Sequence, residues 1–141
     1  MPTAPFPHRY EVALELGQLA APPRAPIRAG APPQFGGSDT VWSPEELLLG
    51  AVLLCVKTTF DAYVARQTLP ILAWSGRIAG TLDKGAHGPE FTSIQIELEI
   101  ATTQGHDARV RDLVRTVERS CIISRALKPQ VAISADVRIA G

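Results

Sequence analysis

The stretch Ser43-Pro-Glu-Glu-Leu-Leu-Leu-Gly-Ala-Val-Leu-Leu-Cys55 decides the fold of this chain. Ser43 suits the N-cap of a helix, and Pro44 suits the first helical position, where the N–H that proline lacks is not needed. Glu46 stands three residues after Ser43 and completes a capping box. The pattern therefore predicts a helix that begins here and continues to about Arg66, before the next proline.

The first half of this helix is apolar on nearly every side, from Leu47 to Val56. Such a helix must be buried on most sides, which is hard to arrange within one small domain, so a partner subunit is expected to cover part of it. The run indicates core or interface rather than a cofactor site. It is about half as long as a membrane span, and we expect no transmembrane segment.

Length and composition predict a single folded domain over residues 1–141, with residues 1–7 as a flexible N-terminus. The chain is 45% hydrophobic and 20% charged, and its fourteen basic residues balance fourteen acidic ones. This balance leaves no electrostatic footprint for nucleic acid or an anionic membrane, so neither is expected as a partner. The N-terminus shows neither the basic nor the apolar region of a secretory signal, and we expect a cytoplasmic protein.

The hydrophobic periodicity elsewhere predicts an α+β fold with helices packed on antiparallel sheet. A second helix is expected from Asp107 to about Arg119, with an apolar stripe that Cys121 extends. The glycines at 76 and 80 interrupt one alternating segment and predict a bulge or a close approach there. Strands are expected at Tyr10–Gly17, Ile27–Ala29, Leu72–Leu82, Ile94–Ile100 and Val131–Ile139.

The candidate chemical groups are two cysteines and one carboxylate. Cys55 lies within the apolar run and Cys121 at the end of an apolar stripe, so each by itself is typical of an inert core residue. Two packed helices can also bring such residues within disulfide range, so a redox pair and simple packing both remain open. Glu45 lies in the first helical turn without an assigned partner and is available for another role.

Metal binding and bound cofactors are not expected. The three histidines, His8, His87 and His106, have no metal-ligand spacing to one another or to a cysteine. The sequence has no Cys-x-x-Cys pair and no Gly-rich phosphate-binding loop.

Two segments resemble the OsmC/Ohr family of organic hydroperoxide reductases. The first is Phe35-Gly-Gly followed by Trp42 to Cys55, similar to the family's Gly-Gly loop, Ser/Asn-Pro-Glu helix start and a Cys ten residues after that Glu. The second is Glu118-Arg-Ser-Cys-Ile-Ile-Ser124, similar to the family's second-Cys motif with a Ser three residues later. The order of elements also resembles the family over about residues 8 to 139.

The resemblance implies an intertwined homodimer with two long central helices wrapped by antiparallel sheets. It implies a thiol peroxidase in which Cys55 is the peroxidatic cysteine, Cys121 the resolving cysteine and Glu45 the active-site carboxylate. An organic hydroperoxide would bind in an apolar pocket lined by Phe60, Tyr63 or Trp74. An external dithiol or lipoyl-type reductant, rather than a bound cofactor, would restore the thiols.

Helix geometry constrains these roles. Ten residues of helix separate Glu45 from Cys55 by about 15 Å along the axis. A hydrogen-bonded contact spans only about 3 Å. If both residues serve one site, either the helix is broken between them or Glu45 comes from the other subunit.

The sequence departs from the family pattern at two positions. The family's activating arginine follows a glycine at the end of the first strand, where this chain has Gly17-Gln18. Arg9, Arg24 and Arg28 lie nearby in sequence, but none matches the motif. Arg24 could reach the site from the neighbouring strand, and which of the three activates Cys55, or whether none does, is left open. The second cysteine is usually followed by proline, but here by Ile122. These departures keep an alternative open: a ligand-binding or redox-sensing domain of the same fold without efficient peroxidase activity.

Overall fold

The computed structural model describes residues 2–141. Met1 lies outside the described residues, so the predicted flexibility of residues 1–7 stays a prediction. The chain divides into two compact units, an N-terminal unit that ends at Leu48 and a C-terminal unit from Leu49 to Gly141. The boundary falls inside a helix, and the prediction of a single domain stays a prediction.

The N-terminal unit is built on an antiparallel sheet of short strands: β1 (Ala13–Glu15), β2 (Gln18–Ala20) and β3 (Ile27–Arg28). The strand predicted from Tyr10 to Gly17 is therefore shorter, and β2 was not predicted. The alternating apolar side chains of the predicted Tyr10–Gly17 strand were expected to be half-buried, yet Leu14 in β1 is 66% exposed. Strands this short present too little apolar surface to cover one another.

Helix α1 runs from Pro44 to Gln67 and confirms the predicted capping box. The backbone N–H of Glu46 donates to Ser43 Oγ at 3.1 Å, and the N–H of Ser43 donates to Glu46 Oε1 at 3.2 Å. Within the chain α1 buries a single stripe, formed by Val52, Val56 and Phe60. By length and composition alone α1 is also apolar enough to cross a membrane, a property that core helices of soluble proteins share, so the expectation of no transmembrane segment stays a prediction.

The C-terminal unit contains a sheet with the order β4 (Ile71–Gly85), β5 (Gly88–Thr102) and β6 (Val131–Ile139). The first two strands form the predicted antiparallel hairpin. Strand β6 runs parallel to β5, so the expectation of purely antiparallel sheet was wrong for this pair. The helical segment between β5 and β6 is a crossover, which returns the chain to the end of the sheet where β5 began. The α+β fold class is confirmed.

Both Gly76 and Gly80 of β4 stand where other side chains approach closely. The irregularities of the β4–β5 ladder lie between Ile71 and Ala73 and between Thr81 and Leu82, so neither falls at Gly76, whereas the second directly follows Gly80. A Cβ at Gly76 would stand 2.9 Å from atoms of the Leu98 and Trp74 side chains. The glycine thus makes room for the packed side chains around it.

Helix α2 (Asp107–Ser120) and the short helix α3 (Ile122–Arg125) follow β5. The predicted stripe of α2 is buried, and Cys121 is the C-cap of this helix. The short helix α3 was not predicted. The core of this unit joins α1, β5, α2 and β6, with these residues among its members: Val52, Val56, Phe60, Ile94, Ile96, Leu98, Ile100, Val110, Leu113, Val114, Val117, Cys121, Val131 and Val137.

Candidate functional site

Cys55 lies near the middle of α1, at the edge of the stripe that this helix buries. Its neighbours Val52 and Val56 are fully buried, whereas Leu54 is 63% exposed. Cys55 itself is partly buried and packs against the core of the C-terminal unit. A thiol in this position is held by packing and is still reachable from outside the core.

Cys121 is fully buried at the junction of α2 and α3. Its N–H donates to the carbonyl of Val117 at 3.1 Å, which closes the last turn of α2. Its extended backbone, with φ −64° and ψ 118°, then ends α2 and directs the chain into α3. Both cysteines are free thiols.

The structure brings the two cysteine side chains together, and the surroundings lower the pKa of Cys55. Burial acts in the opposite direction and would raise this pKa, but hydrogen-bond donors outweigh it. The donors are the backbone N–H groups of Ile123 and Ile122, the Cys121 thiol and the Thr59 hydroxyl. The Cys55 thiolate is therefore stabilised by neutral groups that converge on its sulfur.

The pKa of Cys121 moves in the opposite direction. Burial raises it, and the neighbouring Cys55 raises it further, whereas hydrogen bonds with Ser124 lower it by less. Cys55 therefore ionises first and Cys121 keeps its proton. Because the thiolate is the nucleophilic form of cysteine, this asymmetry makes Cys55 the more reactive thiol.

Glu45 occupies the first turn of α1, and its Oε1 atom is buried without a hydrogen-bond partner among residues 2–141. The capping role belongs to Glu46, as predicted. Helix α1 is continuous from Pro44 to Gln67, so the alternative of a break between Glu45 and Cys55 is removed. Ten residues of unbroken helix leave about 15 Å of rise between the two positions.

The three candidate arginines are exposed and belong to the N-terminal unit. Arg9 forms an ion pair with Glu11 at 2.5 Å, and Arg24 Nη1 donates to the carbonyl of Ala21 at 3.4 Å. Arg28 lies in β3. Within the described chain, the principal groups that lower the Cys55 pKa are instead N–H, thiol and hydroxyl groups.

Sequence reasoning named Cys121 but missed the other neutral donors, namely the Thr59 hydroxyl and the backbone N–H groups of Ile122 and Ile123. Thr59 follows Cys55 by four residues, and this spacing on a helix was a usable signal. Ile122 supplies a backbone N–H that a proline at the same position would lack. The departure from the family pattern after Cys121 thus adds a donor next to Cys55.

Two of the three aromatic residues predicted to line a pocket pack against each other. Phe60 is 1% exposed and belongs to the core, and its ring centroid lies 6.3 Å from that of Trp74. Tyr63 is partly buried, with the Arg66 guanidinium 5.2 Å from its ring centroid. Among residues 2–141, no group of three or more His, Cys, Asp or Glu side chains is placed to hold a metal ion.

Solved structures with a similar fold come from several bacteria. An OsmC-like protein of unknown function from Vibrio cholerae has a TM-score of 0.76 and 16% identity, over 84% of this chain and 82% of that one. An organic hydroperoxide resistance protein from Elizabethkingia anophelis has a TM-score of 0.73 and 12% identity, over 96% and 100% of the two chains. The organic hydroperoxide resistance protein OsmC from Legionella pneumophila has a TM-score of 0.66 and 14% identity, over 99% and 100%.

No curated protein matches the sequence. The sequence profile of the OsmC-like protein family, however, matches residues 37–136. The matched segment covers more than half of the chain and includes Glu45, Cys55 and Cys121. The predicted family resemblance is confirmed, and the chain belongs to the OsmC-like protein family.

Proposed function

We propose that this protein is a thiol-dependent peroxidase that reduces organic hydroperoxides to alcohols. The observation that carries the proposal is the pairing of Cys55 with Cys121 and the opposite directions of their pKa shifts. Membership of the OsmC-like family, and the organic hydroperoxide resistance proteins among the structural neighbours, support a redox role.

The first step uses the Cys55 thiolate as nucleophile. Its sulfur attacks the distal oxygen of the hydroperoxide, the O–O bond breaks, and the alkoxide takes a proton from solvent and leaves as the alcohol. Cys55 is oxidised to a sulfenic acid and the hydroperoxide is reduced. The neutral donors around the sulfur support this step because they favour the thiolate over the thiol.

The second step uses Cys121 as the resolving thiol. Its sulfur attacks the Cys55 sulfenic acid, a disulfide forms, and water leaves with the Cys121 proton and the sulfenic oxygen. A dithiol reductant, of the lipoyl type or another, then restores both thiols through a mixed disulfide and is itself oxidised. This scheme uses no bound cofactor.

The proposed working form is a cytoplasmic homodimer that binds neither nucleic acid nor membrane. A second copy would cover the exposed side of α1, including Leu54, which is 63% exposed. It would also bring its Glu45 to the Cys55 of the first copy, since one unbroken helix holds these residues apart. The buried Glu45 Oε1 atom, unpartnered within residues 2–141, supports such a role. A cytoplasmic location suits an enzyme that depends on reduced thiols.

Intact mass spectrometry under non-reducing conditions tests the proposal directly. The protein receives one equivalent of an organic hydroperoxide or, separately, of hydrogen peroxide. We expect a loss of two hydrogens per chain, faster with the organic hydroperoxide. The Cys121→Ser variant should instead gain one oxygen at Cys55. An unchanged mass in the wild-type protein would contradict the proposal and assign both cysteines to packing.

A redox-sensing domain without turnover is the second candidate. It is favoured by the donors around Cys55, which within the described residues are principally neutral groups rather than a cation. Such a domain would form the disulfide once but would not consume hydroperoxide continuously in the presence of excess dithiol. Multiple turnovers with dithiothreitol or dihydrolipoamide support the enzyme, and a single oxidation event supports the sensor.

A further inference from the structure

Two adjacent threonines on α1, Thr58 and Thr59, contact different atoms of Cys55. Thr58 Oγ1 donates to the backbone carbonyl of Cys55 at 3.2 Å. Thr59 follows Cys55 by four residues, and its Oγ1 lies 3.9 Å from the Cys55 sulfur. One hydroxyl thus serves the backbone of Cys55, and the other contacts its reactive atom.

The orientation of Thr59 differs from that of the other serine and threonine hydroxyls of α1 and α2. A helical Ser or Thr commonly donates to the carbonyl three or four residues earlier. Thr58 does so, as do Thr116, to Asp112 at 3.2 Å, and Ser120, to Thr116 at 2.6 Å. The Thr59 hydroxyl instead faces a sulfur. Among the described residues, the Cys55 sulfur is the hydrogen-bond partner of the Thr59 hydroxyl.

A hydroxyl is well suited to this position on an apolar helix. Burial near Cys55 disfavours the thiolate, and a donor that carries no charge of its own can offset this at little desolvation cost. Hydrogen bonds to an ionised group are stronger than those between neutral groups. The β-branched side chain of threonine is stiff at χ1, which fixes the hydroxyl relative to the helix. Catalytic hydrogen bonds are often long before substrate binds and shorten in the reacting complex.

We propose that Thr59 is a positioning residue for the Cys55 nucleophile. Its hydroxyl donates a hydrogen bond to the thiolate and keeps the sulfur beside Cys121. The importance of this bond for turnover rests on the proposed peroxidase function, but the bond itself acts on Cys55 in the absence of any peroxide.

The test compares Thr59→Val, which keeps the branched shape and removes the hydroxyl, with Thr59→Ser, which keeps the hydroxyl. Thr58→Val is the matched control, one residue away on the same helix. The readout is the rate of Cys55 alkylation by iodoacetamide as a function of pH, followed by peptide mass spectrometry. We expect Thr59→Val to slow alkylation at pH 7 about five- to tenfold and to move the profile to higher pH. Thr59→Ser should restore the wild-type profile, and Thr58→Val should leave it unchanged.

Two results would overturn the proposal: a Thr59→Val profile that superimposes on the wild-type profile, or an equal shift in Thr58→Val. Thr59→Ala, which removes the hydroxyl and favours helix, serves in place of Thr59→Val if circular dichroism shows that the latter is unfolded. Alkylation needs no hydroperoxide, so the two proposals fail separately. If hydroperoxides form no disulfide, the proposed peroxidase function is wrong, but the proposed role of Thr59 still stands. If the enzyme is active and the Thr59→Val alkylation profile is unshifted, the role of Thr59 is wrong and the peroxidase function still stands.

Discussion

The N-terminal and C-terminal units use similar apolar residues in opposite ways. In the C-terminal unit, Ile96 and Ile100 of β5 are at most 1% exposed, because the helices of the unit join the sheet in one core. In the N-terminal unit, Leu14 is 66% exposed and Tyr10 is 84% exposed. An alternating apolar strand without a covering element presents a hydrophobic surface, and such surfaces commonly mark an interaction site. The C-terminal unit therefore has a buried core of its own, whereas the short sheet of the N-terminal unit, taken by itself, does not.

The chemical groups are divided in the same way. Both cysteines belong to the C-terminal unit, whereas Glu45 and the candidate arginines belong to the N-terminal unit. The redox pair is therefore complete within one unit, but its proposed carboxylate partner is not. Two kinds of measurement test whether a second copy supplies the missing carboxylate and covers the exposed apolar surface: the turnover of hydroperoxide and the stability of the chain and its dimer.

The largest expected effect is on turnover. Cys55→Ser should lower hydroperoxide consumption about a thousandfold or more, because it removes the attacking sulfur. Glu45→Gln should lower it about a hundredfold if the carboxylate assists the reaction. Both rates are measured with excess dithiol by loss of hydroperoxide. A Cys55→Ser variant that still consumes hydroperoxide would contradict the proposed mechanism.

Mixed dimers of the Cys55→Ser and Glu45→Gln variants test whether the Glu45 that serves one site comes from the same copy as its Cys55 or from the second copy. When they are refolded together at equal amounts, half of the dimers are mixed, and each mixed dimer carries one site with both residues intact. We therefore expect about a quarter of the wild-type activity to return. If dimers shown to be mixed by differential tags stay inactive, Glu45 does not act across the interface.

The next largest effects are expected from truncating one buried and one exposed apolar side chain, Phe60 and Leu14. Phe60→Ala, at a position that is 1% exposed, should lower the free energy of unfolding by about 3–5 kcal/mol, because it leaves a cavity in a complete core. Leu14→Ala, in exposed β1, should instead raise the dimer dissociation constant about tenfold or more. Urea denaturation and analytical ultracentrifugation measure the two quantities. An unchanged dissociation constant in Leu14→Ala would place the second copy elsewhere.

The sequence predicted the elements whose signals are local. The capping box fixed the start of α1, and the strict alternation of Ile94–Ile100 identified the centre of β5. The short elements β2 and α3 were missed because three or four residues carry no periodicity. The parallel pairing of β6 was missed because direction depends on where a crossover returns, which no single segment records.

The site was predictable as a set of residues but not as an arrangement. The motif residues Cys55 and Cys121 could be named, but their positions in sequence are typical of core residues and left a redox pair only as an alternative. Their contact depends on how α1 packs against the α2–α3 junction, which is a tertiary property. Backbone donors such as Ile122 are invisible to a search for reactive side chains. The exposure of the N-terminal strands was also out of reach, since alternation predicts an apolar face without saying what covers it.

A smaller effect is expected from two glycines of the C-terminal unit. Gly76→Ala should lower the free energy of unfolding by about 1–3 kcal/mol, since the new methyl group would stand 2.9 Å from Leu98 and Trp74. Gly50→Ala, on α1, should raise it by about 1 kcal/mol, because the added methyl meets no described atom within 4 Å beyond its chain neighbours and the backbone of its own helix. Both follow from urea denaturation. A loss of stability in Gly50→Ala would indicate that the second copy already occupies that space.

The smallest effect concerns Ser43, which is 1% exposed although it belongs to the N-terminal unit, where most of the described residues are exposed. Ser43→Ala should cost about 1 kcal/mol of unfolding free energy, because it removes the cap of α1. Ser38→Ala is the control, because among the described residues the Ser38 hydroxyl contacts only the nearby Thr40.

Fraying at this cap would loosen the first turn, which carries Glu45, but Cys55 lies about 18 Å further along the helix. We therefore expect Ser43→Ala to lower turnover while the pH profile of Cys55 alkylation stays unchanged. A shifted alkylation profile would contradict this and would mean that α1 responds as one rigid element. Unchanged turnover with the expected loss of stability would instead show that the chemistry does not depend on where the first turn holds Glu45.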